Sequence, residues 1–173
     1  SWRDALSPDQ HCLISFVTRE MGLMVRKGNP LGIDSLAALA RADVRFVNRD
    51  PESGTRMLFD ALLARQGVDA AAIRGYPQEE FTHAAVAAYV ASGMADAAFG
   101  VEAAARQFDL DFVPLVTEDY IFACLRRSLD DPSVQKVLEV MRGPGFAAAI
   151  AALPGYSATD PGAVHDVGEL LSA

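Results

Sequence analysis

RFVNRDPESGTRMLFDALLARQG, residues 45–67, changes its periodicity within one turn. Phe46 and Val47, aromatic and β-branched, read as part of a buried strand. Met57, Leu58, Ala61 and Leu62 then recur at helical spacing. Between the two runs lies Asp50-Pro51-Glu52-Ser53-Gly54-Thr55-Arg56, a polar turn that feeds straight into the helix. A first helical turn presents backbone N–H groups without intrahelical partners and the positive end of the helix dipole. Ser53 and Thr55 add hydroxyls there, Gly54 lets a ligand approach the backbone, and Arg56 adds a fork-shaped cation. Together they would form half of a cage for a small anion. The same residues also suit an ordinary helix cap, with Ser53 or Thr55 bonding a first-turn amide.

The chain on either side continues the strand–helix alternation. Residues 11–27 read as extended, with Gly22 between two apolar runs. Gly28-Asn29-Pro30 and Gly32 close that segment, and Asp34 or Ser35 can cap a short helix, SLAALAR. A strand is expected at 43–47, and a short helical piece from Asp69 to Ile73. Glu79 to His83 is expected to open a second helix that Gly93 stops. ADAAFG (95–100) reads as a strand, VEAAARQFDL as a helix, and DFVPLV (111–116) and EDYIFACLR (118–126) as two further strands. Asp131-Pro132 starts a helix that breaks at Gly143-Pro144-Gly145 and resumes in FAAAIAAL, before a Gly/Pro-rich tail and a last helical turn. Parallel neighbours need crossovers of this kind, so the order predicts an α/β fold with a mostly parallel sheet and helices on both faces.

Composition narrows the function classes. The 173 residues suit one domain or two small lobes, and 51% of them are hydrophobic, enough for a sizeable core. No apolar run reaches the roughly 18–20 residues of a membrane helix, so no membrane insertion is expected. Ser1-Trp2-Arg3-Asp4 has no apolar signal core behind it, which predicts a cytoplasmic chain, or a periplasmic one after signal removal. Fifteen Lys and Arg against twenty-three Asp and Glu give a net charge of −8, which argues against nucleic acid as a partner. A small anion stays compatible, because local dipoles and not net charge would hold it. Cys12 and Cys124 form no CxxC pair and read as small buried hydrophobes, with a disulfide unsupported. His11, His83 and His165 lack ligand spacing, so neither a metal nor another cofactor is expected.

Thr82-His83 is the second helix start of interest. Successive strand–helix turns of an open α/β sheet share an edge, so Thr82 and His83 can face the same point as Ser53 to Arg56. A cap or packing role for His83 is the plain alternative. Catalysis finds little support: Ser53 sits in E-S-G-T and not in G-x-S-x-G, and neither phosphate-loop nor dinucleotide fingerprints occur. Glu118-Asp119 reads as a solvated face or hinge, not an acid/base couple.

RFVNRDPESGTR (45–56), EEFTHAAVAAYVASGMADAAFG (79–100), DFVPLVTEDY (111–120) and LPGY (153–156) together resemble periplasmic-binding-protein-like domains of the molybdate/tungstate-binding family. Such domains also occur fused to helix-turn-helix regulators and molybdopterin-biosynthesis proteins. The resemblance implies a type II binding-protein fold over residues 1–173, with 42–117 as the second lobe. It makes 11–41 and 118–173 the crossover strands (GLMVRK and EDYIFACLR) and the remnant of an incomplete first lobe. It implies non-catalytic binding of an oxyanion in an inter-lobe cleft by Ser53, Gly54, Thr55, Arg56, Thr82 and His83, with Tyr120 at the hinge. An effector-sensing domain for an organic anion is the alternative, and a lyase using the Thr55-Arg56 pair is a weaker one. A half-built cleft would expose apolar surface, which predicts a homodimer.

Overall fold

The computed structural model describes residues 5–171, so the expectation for Ser1 to Asp4 lies outside the described residues. In chain order the elements are β1 (His11–Val25), β2 (Phe46–Arg49), α1 (Gly54–Gln66), β3 (Glu79–Glu80), α2 (His83–Ala91), β4 (Ala97–Val101) and α3 (Glu102–Gln107). They continue as β5 (Asp111–Leu125), α4 (Pro132–Arg142), α5 (Pro144–Ala151), β6 (Tyr156–Ser157), β7 (Val164–Asp166) and α6 (Val167–Leu171). The chain divides into two compact units. One is Glu20–Thr117; the other joins the residues up to Arg19 with those from Glu118 onward. Each of the long strands, β1 and β5, gives one part of its length to each unit.

In the Glu20–Thr117 unit, β2 pairs in parallel with β3 (Asn48 opposite Glu79) and with β4 (Phe46 opposite Ala97). The second half of β1 lies antiparallel to β4, from Met21 opposite Val101 to Val25 opposite Ala97. The sheet is therefore mixed and open. Parallel pairing is confined to β3-β2-β4, where α1 and α2 serve as the crossovers. All five β4 residues are buried, as in a strand covered on both faces. Phe59 of α1 stacks on Phe46 with ring centroids 5.0 Å apart and meets Phe99 at 5.2 Å, which seats the helix on the sheet. Gly67 ends α1 at φ 67°, a left-handed conformation that costs glycine little. Ile33, Leu36 and Leu39 fill the same core, so residues 20–41 fold with this unit.

Three local expectations are corrected. Glu79 and Glu80 are strand, not helix: Asn48 N donates to Gln78 O at 2.8 Å and Asp50 N to Glu80 O at 3.1 Å, and this ladder holds the segment extended. The expected helix at 35–41 is a single 3₁₀ turn, Ala37–Ala40. The two strands expected at 111–116 and 118–126 are one, β5. Pro114 lies inside β5, which closes the strand order at one edge, a position where proline is tolerated. Gly22 lies against β5 so closely that a Cβ there would sit 2.1 Å from Val113 O.

Asp96, only 4% exposed, ties β2 to β4. Its carboxylate accepts from Arg45 N at 2.9 Å and from the Arg45 guanidinium at 2.9 and 3.0 Å, while Asp96 N donates to Arg45 O at 2.7 Å. Arg26 approaches the same carboxylate at 3.2 Å. Burial pushes the Asp96 pKa up, but the bonds from the Arg45 side chain and backbone and the charges of Arg45 and Arg26 outweigh it. The group is left below the usual carboxylate value.

In the other unit the first half of β1 pairs antiparallel with β6 (Thr18 opposite Ser157) and with β7 (Cys12 opposite Asp166). Ile14, Leu138 and Met141 form its small core, with Phe16, Cys124, Leu129 and Val134 packed on it. Asp131 caps α4 by accepting from Ser133 N at 2.8 Å, and Pro132 occupies the first turn. Gly143 separates α4 from α5, whose own first turn holds Pro144. Ser15 Oγ meets His165 Nε2 at 2.9 Å.

Two outcomes follow for stability. Asp96→Asn keeps the shape but loses the charge, and chemical denaturation should show a loss of about 2–3 kcal/mol, moderated because Arg45 and Arg26 reach solvent. Because the folded-state pKa is depressed, this contribution is present above the unfolded carboxylate pKa of about 3.9 and is lost as pH falls through the folded value. The stability gap between wild type and Asp96→Asn should therefore close in strong acid. Gly22→Ala must displace backbone of β5, and the same measurement should show a loss of about 3 kcal/mol.

Candidate functional site

Parallel pairing of β3, β2 and β4 sends their carboxyl ends to one edge, and the starts of α1, α2 and α3 follow directly from them. Ser53 is the cap of α1: its Oγ accepts from Arg56 N at 3.1 Å and donates to Asp50 O at 2.8 Å. The amides of Gly54 and Thr55 come ahead of the first intrahelical bond. An added Cβ at Gly54 would meet nothing within 4 Å, so the backbone is open to approach there. Thr82 caps α2 in the same way, accepting from Ala85 N at 3.0 Å. The two helix starts meet through Thr55 and His83, with Thr55 Oγ1 and His83 Nε2 3.4 Å apart and the threonine buried.

Arg56 turns its side chain into ion pairs with acidic residues. Its side chain is buried beneath α1. Its Nε donates to both Asp60 carboxylate oxygens at 3.1 Å, and its Nη1 donates to Arg49 O at 3.1 Å and lies 3.4 Å from Glu79. The guanidinium also stacks over the Tyr76 ring, 4.3 Å from its centroid. Burial alone works against this charge, but Tyr76 and Asp60 outweigh it and hold the Arg56 pKa above its ordinary value. Its Nε and Nη1 donors are committed to protein groups that fix the turn.

Two residues that the sequence reading passed over support the helix starts. Arg49, at the carboxyl end of β2, is 11% exposed in its side chain; its Nη2 donates to Phe81 O at 3.0 Å, and it lies 3.6 Å from Asp50. It thereby joins the turn before α1 to the turn before α2. Its place as the last residue of a strand that leads into a helix start was the available signal. Gly100 lies in β4, where a Cβ would come within 3.0 Å of His83 Nδ1 and 2.8 Å of Met24 Cε. The absence of a side chain there leaves room for the imidazole.

Tyr120 belongs to the other unit. It is 40% exposed, and Arg19 stacks over its ring at 4.4 Å while bonding Glu118 at 2.7 Å. Burial raises the Tyr120 pKa, and the charge of Arg19 offsets part of the rise. Among the described residues, no group of three or more His, Cys, Asp or Glu side chains could hold a metal ion. No helix among them is long and apolar enough to cross a membrane.

The chain has relatives in sequence and in fold. The uncharacterized protein YvgK of Bacillus subtilis (strain 168) is 38% identical over 151 residues, covering 87% of this chain, which spans 48% of that protein's length. An uncharacterized protein in the ferredoxin 2Fe-2S gene 5′ region of Clostridium pasteurianum is 31% identical over 109 residues, 62% of this chain and 96% of the relative. Among solved structures, a phosphate ABC-transporter substrate-binding protein of Clostridium perfringens, with bound phosphate, superposes at TM-score 0.61 and 13% identity over 86% of this chain and 72% of its own. The substrate-binding domain of a molybdenum ABC transporter from Clostridium difficile gives 0.61 at 15%, over 85% and 66%. The CcmR regulatory domain of Synechocystis PCC6803, in complex with 2-PG, gives 0.60 at 20%, over 75% and 64%. At such identities the likeness is one of fold, a mixed α/β sheet of the type II binding-protein kind. The profile of the PBP superfamily domain matches residues 1–142, and the chain belongs to that superfamily.

Proposed function

We propose that this chain binds a small anion, without chemistry, at the paired starts of α1 and α2. The observation that carries the reading is the 3.4 Å approach of Thr55 Oγ1 to His83 Nε2, which unites two capped helix starts. The Gly54 and Thr55 amides, the Thr55 hydroxyl and the His83 imidazole would donate to the anion. Ser53 and Thr82 would hold both first turns in shape. Arg49 would supply positive charge from the turn, and Arg56 would act by positioning. Ser53 is no activated nucleophile in this scheme, because its hydroxyl is engaged by Asp50 O and Arg56 N.

A tetrahedral oxyanion of the molybdate or tungstate type is our first choice of ligand. It draws support from the resemblance of residues 45–56 and 79–100 and from the fold shared with the molybdenum and phosphate binding domains. Hydrogen bonding with little balancing charge suits a dianion that has to be released again. A second reading makes the same site an effector site for an organic anion. The likeness to the CcmR regulatory domain and the greater length of YvgK favour it.

A thermal-shift titration with molybdate, tungstate, sulfate and phosphate tests the proposal. At a hundred times its Kd the preferred anion should add about 2.7 kcal/mol, raising Tm by roughly 5–10 °C. Thr55→Ala and His83→Ala should each abolish that rise. Arg56→Lys should melt earlier in the absence of ligand yet keep the ligand-induced rise, since its partners are Asp60, Glu79 and Tyr76. An unchanged Tm with all four anions would rule out the oxyanion reading. A rise that survives both Thr55→Ala and His83→Ala would move the site elsewhere.

A further inference from the structure

Cys12 and Cys124 stand 112 positions apart in sequence, yet their sulfurs are 3.4 Å apart, and both are free thiols. The topology brings them together: Cys12 lies in the first half of β1, Cys124 near the end of β5, and the two strands are neighbours in the sheet. Cys12 is fully buried, whereas Cys124 is partly exposed. Cys124 also lines an apolar cavity of about 300 Å³, with Ile14, Phe122, Val134, Leu138 and Met141 among its walls.

We infer that Cys12 and Cys124 form a redox modification site, an accessible thiol backed by a buried resolving thiol that close to a disulfide. A disulfide needs the sulfurs at about 2.05 Å, so closure asks for a shift of about 1.4 Å from the observed separation. The roles follow from exposure. Cys124 meets the oxidant first, through solvent or the cavity. Cys12 is held protonated, its pKa raised to about 11 first by burial and then by the hydrogen bond with Cys124.

With a small-molecule disulfide as oxidant, the Cys124 thiolate attacks one of its sulfurs and expels a thiolate. This leaves Cys124 in a mixed disulfide. The Cys12 sulfur then attacks Cys124 Sγ as its proton passes to the second departing thiolate. The protein loses two hydrogens, and the small disulfide is reduced to two thiols. The bond would enclose residues 13–123, and with them the whole Glu20–Thr117 unit, in one covalent loop. Closing a loop of that length restricts the unfolded chain and stabilises the folded one.

Wild-type protein treated with glutathione disulfide under native conditions tests the inference by intact mass, thiol titration and non-reducing peptide mapping. The expected product lacks two hydrogens, has no titratable thiol and yields a Cys12–Cys124 crosslinked peptide. Its Tm should rise by about 5–15 °C and return on reduction. Cys12→Ser should stop at one glutathione on Cys124, and Cys124→Ser should react far more slowly than wild type. The inference is overturned if treated wild type keeps both thiols, or if it accumulates glutathione on Cys124 with Cys12 still free. It is equally overturned if Cys124→Ser reacts as fast as wild type, because the assigned order of attack would then be wrong.

Discussion

A carboxylate buried between two parallel strands sets the frame of the Glu20–Thr117 unit. Asp96 receives the Arg45 backbone amide and guanidinium and returns its own amide to Arg45 O, so β2 and β4 are clamped at their starts. Such a charge is costly to bury and is tolerated because it is paired and hydrogen-bonded on several sides. Once the register between β2 and β4 is set, the carboxyl ends of these strands and of β3 must share an edge. The meeting of Thr55 with His83 rests on the parallel pairing of β2 with β3, because α1 and α2 follow these two strands.

Within the site, capping and anion binding are compatible, because they use different atoms. Side-chain oxygens of Ser53 and Thr82 serve the third amide of each helix, whereas the earlier amides precede any intrahelical bond. Charge is distributed in the same way. Arg56 is balanced by Asp60 and Glu79, and Arg49 reaches from the end of β2 to Phe81 O. This local balance accommodates a cluster of acidic residues around helix starts whose dipoles are positive.

The strand order also explains features that look irregular in sequence. As an edge strand, β5 tolerates Pro114 and the polar Thr117-Glu118-Asp119 without breaking. At Gly22 β1 lies close against β5, and a side chain there would strike the backbone of β5. The same adjacency, at the far ends of both strands, brings Cys12 to Cys124.

The local signals in the sequence were enough for the strand–turn–helix unit at 45–67, a cap at Ser53 or Thr55, the proline-led helix after Asp131 and the α/β class, because each rests on neighbours a few residues apart. Those signals also named both helix starts of the candidate site. They put Glu79-Glu80 into the second helix, wrongly, since pairing with β2 and not local propensity holds the segment extended. The direction of the Arg56 guanidinium, the bridging place of Arg49 and the room that Gly100 leaves for His83 were likewise beyond them. Nor could spacing reveal that two cysteines 112 positions apart would touch. Tertiary structure alone decides such matters, because side-chain direction and long-range contact follow from how strands are ordered and packed.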